Sequence, residues 1–319
     1  MNLSDVVAIG RLVDRRQTGE SIAVATTKLK KDDGRRAALR MVDRQLTKGN
    51  FKLALSLVKQ LQRQPSPTGL CGFAAARQVP RRVSSIEQLH LSVAEDSAFQ
   101  SLLDAILDSI KSSLQASPLE ESSVTNEDND LYLEDDMVKH MQVLQHEAGH
   151  FLVGYLLGVL PKQYKVSCME DKITDANVKF VGFEFLTEVT EKSLFSSLNQ
   201  YIIPIVTTFF MFVLNRFACV IVGGLVAEHL AFGHSKGHHG DMDKNSYFIT
   251  NEKLDKVFYW LQFTEDEANT LTRWAVINTL TILNRHSKVI STLVEAMSHG
   301  KSIGSCIHSI ESNLNHQDI

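Results

Sequence analysis

The sequence predicts a mainly α-helical protein with a small β element, and three observations carry that expectation. Apolar residues recur at helical spacing along most of the 319 residues. Strand-like stretches are confined to Tyr164–Met169 and Lys179–Leu186. Between Lys111 and Lys139 there is no lysine or arginine while acids crowd together, which separates a helical N-terminal region from the rest. The expected organisation is a helical region at 1–115, usable as an interaction module, an acidic flexible linker at 116–136, and a third region at 137–315.

In the first region, Arg35–Leu46 carries Leu39, Val42 and Leu46 on one face. After the Lys48-Gly49-Asn50 break, Phe51–Gln64 presents Phe51, Leu55, Val58 and Leu61, and Pro65 and Pro67 end it. This pair resembles one hairpin of a tetratricopeptide-like repeat, without a second copy at a fixed period. Ala98–Leu114 is a further amphipathic helix, with Phe99, Leu102, Leu103, Ile106, Leu107 and Ile110 facing one way. The linker's last acids, Asp135 and Asp136, are expected to cap the helix that follows.

Composition narrows the function classes. Hydrophobic residues at 44% and charged residues at 22% give a globular balance. A net charge of -4 offers no general attraction for nucleic acid. Four scattered cysteines, Cys71, Cys168, Cys219 and Cys306, form no disulfide framework and no thiolate metal site, a pattern that suits a reducing compartment. Met1–Leu12 lacks a basic patch before an apolar core, and Asp5, Asp14 and Glu20 are out of keeping with a transit peptide. Tyr201–Leu214 is the main membrane candidate. A spanning helix needs about 20 apolar residues, and this run contains Pro204 and is interrupted at Asn215-Arg216. It reads as a buried core helix, followed at once by a second apolar run, Phe217–Val226. Membrane association is therefore not the favoured reading.

The chemistry lies in the next helix, expected from about Met137 to Gly158, with apolar positions at Val138, Met141, Leu144, Phe151, Leu152, Tyr155 and Val159. It contains His146-Glu147-Ala148-Gly149-His150. Histidines at i and i+4 project from one helix face, a spacing at which both imidazoles reach one zinc at about 2.0–2.1 Å. Glu147 follows the first histidine and is placed to take a proton from a zinc-activated water attacking a carbonyl. Gly149 within the helix costs about 1 kcal/mol relative to alanine, which is understandable where another backbone comes close. Such a site needs a third protein ligand and a position for water. The segment Val222–Asp243, with His234, His238, His239, Asp241 and Asp243, offers candidates.

His-Glu-Ala-Gly-His, followed by Gly223-Gly224-Leu225-Val226-Ala227-Glu228 with Phe232-Gly233, and then Gly237-His238-His239-Gly240-Asp241, resembles the peptidase domain of the FtsH family of zinc proteases. Glu265–Leu293 is similar to the helices that close that domain, and the resemblance covers about Met137 to Leu314. It implies an FtsH-like helical peptidase domain in which His146, His150 and Asp241 hold Zn2+ and Glu147 is the catalytic base. The residues after Asp241 depart from the family pattern: the Ala-Thr-rich helix and Gly-Met-Ser turn are replaced by Lys244–Trp260. Asp243, His234, His238 and His239 therefore stand as alternatives to Asp241. The family's ATPase loop, Gly-x-x-x-x-Gly-Lys-Ser/Thr, is missing as well. The nearest fragment, Gly300-Lys301-Ser302, has Glu295 where the earlier glycine belongs.

The chain thus looks like an FtsH-type peptidase without its motor, a form linked to plant plastids. The resemblance implies a metalloendopeptidase acting on unfolded protein or peptide substrates, or else an accessory subunit of an ATPase-bearing FtsH-type partner. The alternation of Val181, Phe183 and Phe185 with Gly182 and Glu184 further suggests an edge strand that aligns extended substrate, with a purely structural hairpin as the alternative.

Overall fold

The computed structural model describes residues 33–65, 68–78, 93–115, 129–169, 172–183, 203–234, 251–260 and 262–315. The described residues are mainly helical, with one two-stranded antiparallel sheet. The chain divides into two compact units, Met1–Cys71 and Gly72–Ile319. The helix after residue 92 belongs to the second unit.

The first unit contains α1 (33–47) and α2 (Phe51–Gln62). Gly49, in the left-handed region at φ 74°, turns the chain between them. Leu39, Val42 and Leu46 are buried as the spacing predicts. On α2 the buried stripe is Ala54, Val58 and Leu61. Phe51 and Leu55 are only partly covered, because the small Ala54 takes the place of closest approach at i, i+4 and i+7.

The second unit begins with α3 (Val93–Gln115), which buries Leu103, Ile106 and Ile110. Then comes α4 (Asn129–Leu156), which starts earlier than the expected Met137. Asp135 and Asp136 lie inside this helix and do not cap it. An acidic run is favourable near a helix N-terminus, so a stretch that reads as linker by composition continues a helix here. Val138 and Met141, expected in the core, are 49% and 42% exposed, whereas Leu144, Phe151, Leu152 and Tyr155 are fully buried. Gly158, at φ 79°, ends the helix two residues past Leu156. The amides of Ala74 and Ala76 satisfy the last carbonyls, of Tyr155 and Leu156.

Strands β1 (Pro161–Met169) and β2 (Lys172–Phe180) form the hairpin. The second strand lies earlier than the expected Lys179–Leu186. Pairing stops at Phe180, and Gly182, at φ 92°, breaks the alternation seen in sequence; residues 184–186 lie outside the described residues.

Helix α5 (Ile203–Phe232) is one continuous helix of 30 residues. The two apolar runs join through Asn215-Arg216, and Pro204 sits in the first turn, where its missing amide donor costs nothing. Val213–Phe232 is long and apolar enough to cross a membrane, yet 78% of that stretch is buried inside the fold. Burial against protein accounts for its composition. The remaining helices are α6 (Asn251–Trp260), α7 (Glu265–Arg285), α8 (Ser287–Ser298) and α9 (Ile303–Asn313). Thr264 and Glu267 form a capping box at the start of α7. Gly300-Lys301-Ser302 is the α8–α9 junction, with Ser302 capping α9, a structural role that leaves no phosphate cradle.

Helices α4 and α5 form the centre. α4 packs against α5, α7, α8 and both strands, and α5 packs against α3, α4, α6 and α7. Contacts pair Gln142 with His234, Gln145 with Ala227 and His150 with Val220, so the two helices run antiparallel. Their backbones touch at Gly149: a Cβ there would run into the carbonyl oxygen of Gly223 and lie 2.6 Å from the Ala227 Cβ. The close approach anticipated from Gly149 is therefore to Gly223. Gly149→Ala should lower the unfolding free energy of this unit by about 1–3 kcal/mol through overpacking, measured by denaturant titration. Gly34→Ala, with open space around its Cβ, should cause no such loss.

Candidate metal centre

The i, i+4 spacing on α4 does bring the two histidines together. His146 and His150 lie with ring centroids 4.6 Å apart and planes at 82°. His146, Glu147 and His150 each offer a ligand atom within 4.8 Å of the other two. Glu147 is 4% exposed and His150 2%, while the His146 side chain keeps 14%. Access from solvent is thus on the His146 side.

Each imidazole is held from α5 by its Nδ1. His146 Nδ1–H donates to the Glu228 carboxylate, and His150 Nδ1–H donates to the Val220 carbonyl at 2.6 Å. Both acceptors can only accept, so both rings carry their proton on Nδ1 and leave the Nε2 lone pair for a metal. Outward hydrogen bonds of this kind are the usual way a protein fixes a metal-binding histidine. Gly224 lies against the face of the His146 ring, over Nε2, Cδ2 and Cε1, and any Cβ at that position would occupy the same space. The Gly223-Gly224 pair therefore serves two purposes: the first lets the backbones meet, the second seats a ligand ring.

The electrostatics separate the two histidines. Burial works to lower the His146 imidazole. The hydrogen bond and charge of Glu228, together with the charge of Glu147, outweigh it, and the net shift is upward from 6.5. Burial, with the neighbouring His146 charge, pushes His150 down to about 3 against the opposing Val220 carbonyl. His150 is thus neutral at pH 7, whereas His146 holds its second proton more firmly than a free imidazole.

Two imidazole nitrogens and a carboxylate, with both rings locked in the right tautomer, fit a divalent metal ion. The third ligand expected at Asp241, and the alternatives His238, His239 and Asp243, lie outside the described residues. His234 lies within them, and both its nitrogens are engaged: Gln142 Nε2 donates to its Nε2 at 3.3 Å, and its Nδ1 donates to the Phe232 carbonyl at 3.0 Å. It is not part of the metal group. Glu228, which holds the His146 ring, has no role assigned to it from sequence. The available signal was an acid inside an apolar helix, since a carboxylate buried to 4% exposure needs a hydrogen-bonding partner.

Comparison with family models, with curated proteins and with solved structures gives no match to this chain.

Two outcomes follow from this geometry. Glu228→Gln should weaken metal binding about 10–100-fold, measured by chelator competition. A raised pKa means that the metal must displace a proton from His146, so affinity should fall as pH drops and binding near pH 7 should release protons. Calorimetry in buffers of different ionisation enthalpy reads that release.

Proposed function

We propose that this protein is a zinc-dependent endopeptidase of the FtsH type, hydrolysing peptide bonds in unfolded or damaged protein chains. The observation that supports it most is the pairing of the two histidines. Each donates from Nδ1 to a separate acceptor on α5, which leaves Nε2 as the nitrogen for an ion beside the carboxylate of Glu147, on His146 once its second proton has been displaced. Zinc suits imidazole and carboxylate ligands and has no redox chemistry to interfere with hydrolysis.

In this reading His146 and His150 hold the ion, and Asp241 completes the ligand set. Bound zinc supplies a Lewis acid that polarises the substrate carbonyl and makes a water acidic enough to lose its proton near neutral pH. Glu147 accepts that proton on a carboxylate oxygen and returns it to the amide nitrogen as the peptide bond breaks. Its burial keeps bulk water from competing for the proton. Glu228 and the Val220 carbonyl keep the ligand rings from turning, so substrate meets a site that needs no rearrangement.

These 319 residues contain no phosphate-cradling Gly-x-x-x-x-Gly-Lys-Ser/Thr loop. Substrates are then chains already unfolded, or chains delivered by an ATPase-bearing partner of the same type. A plastid location belongs to the same proposal and rests on the resemblance alone.

The test compares wild type with Glu147→Gln for zinc content and for cleavage of casein without ATP. The expected result is one zinc per chain in both proteins, with cleavage lost only in the variant, by a factor of at least about 10²–10⁴. Zinc in both proteins with cleavage by neither would replace the endopeptidase reading with that of an accessory subunit. Absence of zinc from both would sink the metallopeptidase claim.

A further inference from the structure

Two helical threonines on α7 behave differently. Thr281 bonds its own helix, donating to the Ile277 carbonyl at 2.8 Å, the usual local choice for a hydroxyl in a helix. Thr279 is fully buried and reaches across to α5, donating to the Cys219 carbonyl at 3.1 Å. The next carbonyl along α5, that of Val220, is the one that accepts from His150. In a regular helix the carbonyls of Cys219 and Val220 accept the amides of Gly223 and Gly224. The turn that bears the glycine pair is therefore held by a second hydrogen bond at each of its two acceptors, from α7 on one and from α4 on the other.

That turn has reason to need holding. Adjacent glycines lower helix stability and are common points of kinking. Here they carry the backbone contact with Gly149 and the seat of the His146 ring, and Glu228 lies one turn further on. A small rotation of the turn would move the acceptor of His150 and the floor of His146 together.

We propose that Thr279 is a positioning residue for the metal group, fixing the Gly223-Gly224 turn of α5 on which both histidine ligands are seated. The inference rests on His146 and His150 being metal ligands. The hydroxyl is not required to satisfy Cys219, whose carbonyl has its helical partner, so removing it leaves no orphaned acceptor and changes chiefly the alignment of the turn.

The experiment uses the full chain with Thr279→Val, of nearly the same shape, and Thr279→Ser, which keeps the hydroxyl. Thr281→Val serves as the control. Zinc affinity is measured by chelator competition, and the Nδ1–H tautomer fraction of His150 by nitrogen NMR on metal-free protein. Thr279→Val should weaken zinc binding about tenfold and lower the Nδ1–H fraction, with Thr279→Ser staying within about twofold of wild type and Thr281→Val unchanged. Wild-type affinity and tautomer in Thr279→Val, whatever its melting temperature, would overturn the proposal. Should Thr279→Val not fold, Thr279→Ala, which removes the hydroxyl without added bulk, is read the same way. A wild type that took up no zinc would sink the metal reading, and the tautomer comparison would still decide whether Thr279 positions His150.

Discussion

The contact on which the site depends is backbone against backbone, where Gly149 of α4 meets Gly223 of α5. Helices usually pack with axes 8–10 Å apart, the spacing set by side chains at the contact. Glycine on both sides removes those side chains. Only at such proximity do the short imidazoles of His146 and His150 reach a carboxylate and a main-chain carbonyl of the neighbouring helix. Orientation of the two histidine rings is thus a consequence of helix packing.

This arrangement has an energetic cost, since each glycine inside a helix is about 1 kcal/mol less favourable than alanine. A buried carboxylate and a buried histidine add a desolvation penalty that their mutual attraction only partly offsets. The surroundings make up the difference. From Phe217 to Ala227, α5 presents buried residues on every side, and α4 does the same from Ala148 to Leu156. Both helices are too thoroughly enclosed to relax away from the contact, so the strain is absorbed by the apolar packing around them.

The sequence disclosed the histidine pair better than the helix boundaries. The pair of histidines one helical turn apart was legible because helix geometry alone dictates their proximity, and Gly149 was legible because glycine is out of place in a helix unless something lies against it. The start of α4 was not, because acids and small polar residues suit both a linker and a helix N-terminus. The continuity of α5 through Asn215-Arg216 was hidden for a similar reason: polar residues end an apolar run without ending a helix. The second strand was misplaced because Val181, Phe183 and Phe185 alternate convincingly, and only the left-handed backbone at Gly182 reveals a turn. Local pattern marks Glu228 as an acid in an apolar helix but not its partner His146, 82 positions away, and gives no sign of Thr279, whose partner Cys219 lies 60 positions away.

One carboxylate oxygen of Glu311 on α9 accepts the Tyr155 hydroxyl of α4 at 2.6 Å and the Gly72 amide at 2.8 Å. The helix that carries the histidines is thereby tied to a residue 156 positions later in the chain. On the ribosome, α4 emerges long before its anchor exists. Its neighbours α5, α8 and α9 arrive one after another while its apolar faces wait uncovered. The histidines find their acceptors as soon as α5 is made, but the helix that carries them is tied down at Tyr155 only when α9, the last described helix, has followed.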